Sequence, residues 1–104
     1  MGLAKDLAAQ LLAEQRLTVL QLLAEQAGGS ANDAVLCEAV NAMSMVCSRD
    51  RMRELIFWLQ GQGALHVLDR RLDTGLVIAT LTEKGHDIAR GRSRIAGVAA
   101  IGGE

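Results

Sequence analysis

The chain has 104 residues, half of them apolar, and its 11 basic and 12 acidic residues leave a net charge of −1. This suits a single domain with a closed core and excludes a strong overall attraction to nucleic acid. No apolar run is long enough to cross a bilayer, and Lys5 and Asp6 stand where a secretory signal needs its apolar stretch, so a cytoplasmic protein without a membrane partner is expected.

Ala and Leu dominate the apolar half, with one Trp, one Phe and neither Tyr nor Pro, a composition that favours long helices. Residues 3–27 read as one helix ended by Gly28-Gly29. Leu12, Val19, Leu20, Leu23 and Ala27 share one side of it. Leu3, Leu7 and Leu11 point elsewhere on the wheel, so residues 1–15 are read as a helical extension that pairs with a second protomer; the rival partner is the chain's own C-terminal tail. Asn32 is a good N-cap for a second helix running to about Met43, in which Leu36, Ala39, Val40 and Met43 have the spacing of a buried face. After the break Ser44-Met45-Val46-Cys47, Ser48 caps a third helix, where Met52, Leu55, Ile56 and Leu59 repeat that spacing. Gly63 stops it, with Gly61 loosening the last turn.

Beyond Gly63 the period changes. Residues 65–68 and 76–81 read as two strands, and the Asp73-Thr74-Gly75 between them is turn chemistry. Thr82 caps a last helix through about Arg90. From Gly91 the chain is small and Gly-rich, and a flexible tail over 91–104 is expected. The predicted fold is therefore mainly α with a small β-hairpin. Its order α-α-α-β-β-α, with an extended first helix, describes a winged helix-turn-helix over residues 16–90.

Three stretches carry a resemblance. Arg16–Glu25 resembles the first core helix of many small bacterial regulators. Trp58–Leu65 resembles the junction where their recognition helix meets the wing, and Leu81-Thr82-Glu83-Lys84-Gly85 the exit from the wing. Together with the Cys47-Ser48-Arg49-Asp50 segment, they make the chain similar to a family of short winged-helix proteins of Mu-like phages and prophages, related in fold to ArsR-type repressors. The resemblance implies double-stranded DNA binding, as a homodimer, in transcription regulation. Metal-sensing ArsR repressors carry two cysteines one residue apart in the helix before the recognition helix. Here that helix has only Cys37, so metal response is not carried over and no cofactor or metal is expected.

Charge is unevenly distributed: residues 1–48 hold two basic residues against five acidic, and residues 49–94 nine against six. On the third helix Arg49 and Arg53 flank the buried stripe on one side and Arg51 on the other, while Asp50 and Glu54 occupy the crest. Residues at the start of such a helix, from Ser48 onward, reach base edges, and an Arg fork suits guanine. The competing reading is a solvated helix paired as Asp50–Arg53 and Arg51–Glu54. Arg70 and Arg71 in the wing suit a phosphate ridge, although Asp69 and Asp73 bracket them. Lys84, Arg90, Arg92 and Arg94 form a second basic set for phosphates or for a solvated tail.

Trp58 is expected to fill the gap between helix and wing, which leaves Phe57 for an interface. Met43, Met45 and Cys47 look like packing residues, His66 and His86 are isolated, and Cys37 and Cys47 read as free thiols. No Ser, Cys or His sits in a nucleophile motif, and Gly61-Gln62-Gly63 ends a helix where a phosphate loop would open one. An enzyme is not expected. The alternative to a DNA-binding regulator is a protein-interaction module on the same scaffold.

Overall fold

The structure, a computed structural model, describes residues 2–101. Its elements are α1 (Leu3–Ala24), a 3-10 turn (Ala27–Gly29), β1 (Ser30–Asn32), α2 (Asp33–Ala42), α3 (Arg49–Gly61), β2 (Leu65–Arg70), β3 (Leu76–Leu81) and α4 (Glu83–Ala89). The molecule is mainly helical, with a three-stranded antiparallel sheet of order β1-β3-β2. Four helices and this sheet enclose one core, centred on Leu20, Leu23, Leu36, Val40, Met52 and Ile56.

α1 is continuous through residues 15 and 16, so the extension and the domain share one rod. It ends three residues before the expected Ala27, since Gly28 and Gly29 adopt positive φ of 68° and 66° and turn the chain into β1. Leu17, Val19, Leu20 and Leu23 are buried, whereas Leu3, Leu7 and Leu11 are 77%, 62% and 52% exposed. The expected hairpin is part of a larger sheet. Three residues of β1 pair with β3, placing Ser30 opposite Thr80, and their hydroxyls lie 2.9 Å apart. A strand this short shows no alternation from which it could be read.

Asn32 leaves β1 and caps α2, its Oδ1 accepting the Val35 N–H at 2.9 Å. The buried face of α2 is not the expected Leu36/Ala39/Val40/Met43 stripe. It is Asp33, Leu36, Cys37 and Val40, and Met43 is 52% exposed. Both sets obey helical spacing; the true one begins with an acid, and apolar counting passes over it. Between α2 and α3 the Asn41 side chain organises the turn. Its Oδ1 accepts the Cys47 N–H and its Nδ2 donates to the Cys47 carbonyl, both at 2.8 Å. Cys37 and Cys47 are buried free thiols, and the Cys37 thiol donates to the Cys47 carbonyl at 3.1 Å. Burial first, and then the neighbouring Cys37, push the Cys47 thiol above its usual value, with Arg51 partly opposing; a thiol held protonated is a packing group.

Ser48 caps α3 by accepting the Arg51 N–H at 3.0 Å, and Met52, Leu55, Ile56 and Leu59 are its buried stripe, as the spacing predicts. β2 runs two residues further than expected, to Arg70, whose carbonyl accepts the N–H groups of Asp73 and Thr74 to close the hairpin. Thr82 caps α4 by accepting the Gly85 N–H at 3.0 Å. Gly85 is required here, because a Cβ would run into the Ala64 carbonyl.

The expectation of a flexible tail from Gly91 meets a different arrangement over residues 92–101, while 102–104 lie outside the described residues. The Ala99 N–H donates to the Ala13 carbonyl at 3.2 Å, and Ile95 and Val98 pack against the core. The tail thus returns along α1, covering a side of it that the leucine stripe does not occupy. Small residues made this stretch look unstructured, but they let it lie close: an added Cβ on Gly97 would sit 2.9 Å from the Trp58 ring.

Candidate nucleic-acid interface

The site is built around a carboxylate. Asp33, at the first turn of α2, is 0% exposed. Its Oδ2 accepts Arg53 Nε at 2.6 Å and Arg49 Nη2 at 3.3 Å, and its Oδ1 accepts the Val77 backbone N–H at 3.1 Å. The same guanidinium groups reach the hairpin: Arg53 Nη2 and Arg49 Nη2 donate to the Gly75 carbonyl at 2.8 Å and 3.2 Å. One buried acid therefore ties α2, the first two turns of α3 and the loop end of the β2–β3 hairpin into one unit. Burial alone would raise the Asp33 pKa, but the Val77 N–H, the Arg53 hydrogen bond and the charges of Arg49 and Arg53 outweigh it and hold the carboxyl below its ordinary value.

This node divides the expected reading arginines. Arg49 and Arg53 face Asp33, so the anticipated Asp50–Arg53 pair is replaced by a longer-range one. Arg51 lies on the other flank, 3.6 Å from Glu54, and that i,i+3 pair is as anticipated. Asp50 and Glu54 are exposed on the crest between the flanks. In the hairpin, Arg70 pairs with Asp73, and Arg71 pairs with Asp69 at 2.6 Å. The hydrogen bond from Arg71 is the main reason the Asp69 carboxyl is held down and the Arg71 guanidinium up. Arg49 and Arg53 thus share one carboxylate, Arg51, Arg70 and Arg71 each pair with one of their own, and the positive face is interrupted. Leu72, at the hairpin tip, is fully exposed.

Neither aromatic residue takes the place expected for it. Phe57 sits beside the hairpin, with the Arg71 guanidinium 5.3 Å from its ring centre. Trp58 faces α1 and the tail, and Arg16 lies 3.7 Å over its ring. The sequence gives Arg16 no role in the site; it stands in a polar Glu14-Gln15-Arg16 interruption between two apolar stretches of α1, which reads as solvated surface. Of the second basic set, Lys84 donates to the Gln62 carbonyl at 2.8 Å and closes the end of α3, and Arg92 pairs with Asp87 at 3.0 Å. Both are thus tied to their own neighbours and not to Arg51 or the hairpin. Arg90 and Arg94 are exposed and line a cavity of about 340 Å³ beneath the tail. Leu11, Leu12, Val46 and Ser48 line a groove of about 510 Å³ between α1 and the α2–α3 turn.

Among the described residues no cluster of three or more His, Cys, Asp or Glu is arranged to hold a metal, and no helix is long and apolar enough to cross a membrane. No protein-family model matches the chain, and no solved structure does. Among curated proteins, the "uncharacterized protein gp26" of Escherichia phage Mu is 36% identical over 85 residues, covering 82% of this chain and 84% of that protein. An "uncharacterized protein" of Haemophilus influenzae (strain ATCC 51907 / DSM 11121 / KW20 / Rd) is 35% identical over 71 residues, covering 68% of this chain and 67% of its own.

Proposed function

This chain belongs to the family of the phage Mu protein gp26, and from that premise we propose that it is a dimeric winged-helix DNA-binding protein that regulates transcription for a Mu-like phage. The observation that carries the reading is the Asp33 node. A helix that enters a groove and a wing that follows the backbone must keep a fixed separation, and Arg49 and Arg53 lock α3 to Gly75 in the hairpin loop. On this reading those two arginines are positioning residues. Ser48 and Arg51, at the start of α3, and Arg70 and Arg71, in the wing, make the contacts.

The carboxylates beside these arginines do not preclude that role. The Arg51, Arg70 and Arg71 pairs are solvent-exposed, and such pairs stabilise by only about 0–1 kcal/mol. A phosphate that takes over the guanidinium also releases counterions. The leucines at positions 3, 7 and 11 supply an apolar stripe along the first three turns of α1. A second protomer covering that stripe would set two α3 helices for a two-fold site.

Labelled duplexes from the genomic neighbourhood of the protein, titrated by anisotropy over a salt series, test the reading. Binding that weakens linearly with log salt is expected, and no binding at low salt refutes it. A second reading, a protein-interaction module, is favoured by the acidic crest of Asp50 and Glu54 and by the exposed Leu68 and Leu72 of the hairpin. Its expected signature is a protein partner lost on Leu72→Ser with no duplex affinity at any salt.

A further inference from the structure

Arg16 has unusual surroundings for a cation. It comes from the middle of α1, its guanidinium carbon lies 3.7 Å from the centre of the Trp58 ring, and its Nη1 donates to the Gly97 carbonyl at 3.0 Å. Its Nε is enclosed without a partner. No carboxylate lies within ion-pair distance of it among the described residues. The charge it does feel is repulsive. Burial and the nearby Arg51 both push the Arg16 guanidinium pKa down. The helix geometry places both on one flank: Trp58 follows Arg51 by seven residues, about 20° around α3 and about 10.5 Å along it, so a group stacked on Trp58 lies two turns along the Arg51 flank, within reach of a long Arg51 side chain.

A half-buried cation within reach of a second cation's charge is unfavourable by itself, and an anion held by both relieves the desolvation and the repulsion. Fastening the tail accounts for the Nη1 bond, but a neutral Gln would donate to Gly97 without the repulsion. A planar guanidinium held rigid on a ring is already ordered for a phosphate oxygen. We propose that Arg16 and Arg51 form a phosphate-binding site on the α1–α3 edge, which takes a backbone phosphate of the duplex bound by α3. The proposal rests on the DNA-binding reading and adds to it a residue from outside the helix-turn-helix and wing.

Trp58 is the sole tryptophan of the chain and lies under Arg16, so its emission reports occupancy. The full-length protein, Arg16→Gln and Arg51→Gln are titrated with a labelled duplex, following anisotropy and Trp58 emission together, and separately with inorganic phosphate. Wild-type emission is expected to change in step with anisotropy and to respond to phosphate alone. Each variant is expected to bind all sequences more weakly, with a salt slope shallower by about 0.9, and to lose the phosphate response.

Duplex binding with unchanged emission and wild-type slopes in both variants overturns the site and leaves the DNA-binding reading intact. A phosphate response lost in the variants, with no duplex binding, supports the anion site and overturns the DNA-binding reading. Absence of both signals overturns both. Arg51 is half-exposed and pairs with exposed Glu54, so Arg51→Gln should fold; because its duplex contact already belongs to the DNA-binding reading, the phosphate response of Trp58 emission in that variant decides the site should Arg16→Gln unfold.

Discussion

Replacing Asp33 by Ala removes the acceptor of three donors at once. The Arg53 bond is short, and its side chain is only 24% exposed, so its loss falls near the low end for a charged hydrogen bond, about 1.5 kcal/mol. Arg49 is 44% exposed and its contact is long; water replaces it readily, and about 0.5 kcal/mol is lost. The Val77 N–H, buried and left without an acceptor, adds about 1–2 kcal/mol. The total, about 3–4 kcal/mol, is a large share of the stability of a domain this size, and corresponds to a fall in Tm of roughly 15–25 °C. Asp33→Asn keeps an acceptor for Val77 and should lose about half as much. Urea denaturation followed by circular dichroism measures both.

The pH dependence is a second reading of the same group. The folded-state pKa of Asp33 is lowered, so its contribution is present above the unfolded carboxyl's value and is lost as pH falls through the folded one. Below about pH 4 the wild type should therefore lose its advantage over Asp33→Asn. An Asp33→Ala loss below about 1 kcal/mol, or parallel acid limbs for wild type and Asp33→Asn, would refute the proposed role of the node.

Other perturbations separate the roles of the remaining elements. Leu3→Gln/Leu7→Gln/Leu11→Gln should abolish self-association in sedimentation velocity while changing monomer stability little, because these side chains are already exposed; a variant that stays dimeric would remove α1 from the interface. Arg70→Gln/Arg71→Gln should flatten the salt dependence of duplex binding by about 0.9 for each phosphate that the wing neutralises, and an unchanged slope would take the wing off the backbone. Gly97→Ala should push the tail away from Trp58, seen as faster proteolysis after Arg92 or Arg94 with the core melt little changed. Ser48→Ala should cost about 1 kcal/mol through the missing α3 cap, readable in the same urea titration.

Local chemistry carried much of the fold. Asn32, Ser48 and Thr82 announced three helix starts, because a capping side chain bonds a backbone N–H three residues on, a distance that sequence spans directly. The Met52/Leu55/Ile56/Leu59 stripe likewise placed α3 and both of its charged flanks, and the Arg51–Glu54 pair lay within one turn of helix. What sequence could not assign were partners far along the chain. Ser30 meets Thr80 through fifty residues, Asp33 meets Val77 through forty-four, and Ala99 returns to Ala13.

That difference decided the candidate site. Three arginines on alternate positions of α3 are equivalent in sequence, and their spacing fixes only that two lie on one flank and one on the other. Tertiary packing brought a buried acid from α2 and a carbonyl from the hairpin to the first flank, turning Arg49 and Arg53 inward. On the second flank it laid Arg16 over Trp58, two turns along α3 from Arg51. Local propensity and period determined which elements form and which faces they bury; the long-range pairing of charges, which no spacing encodes, determined which arginines remain for a ligand.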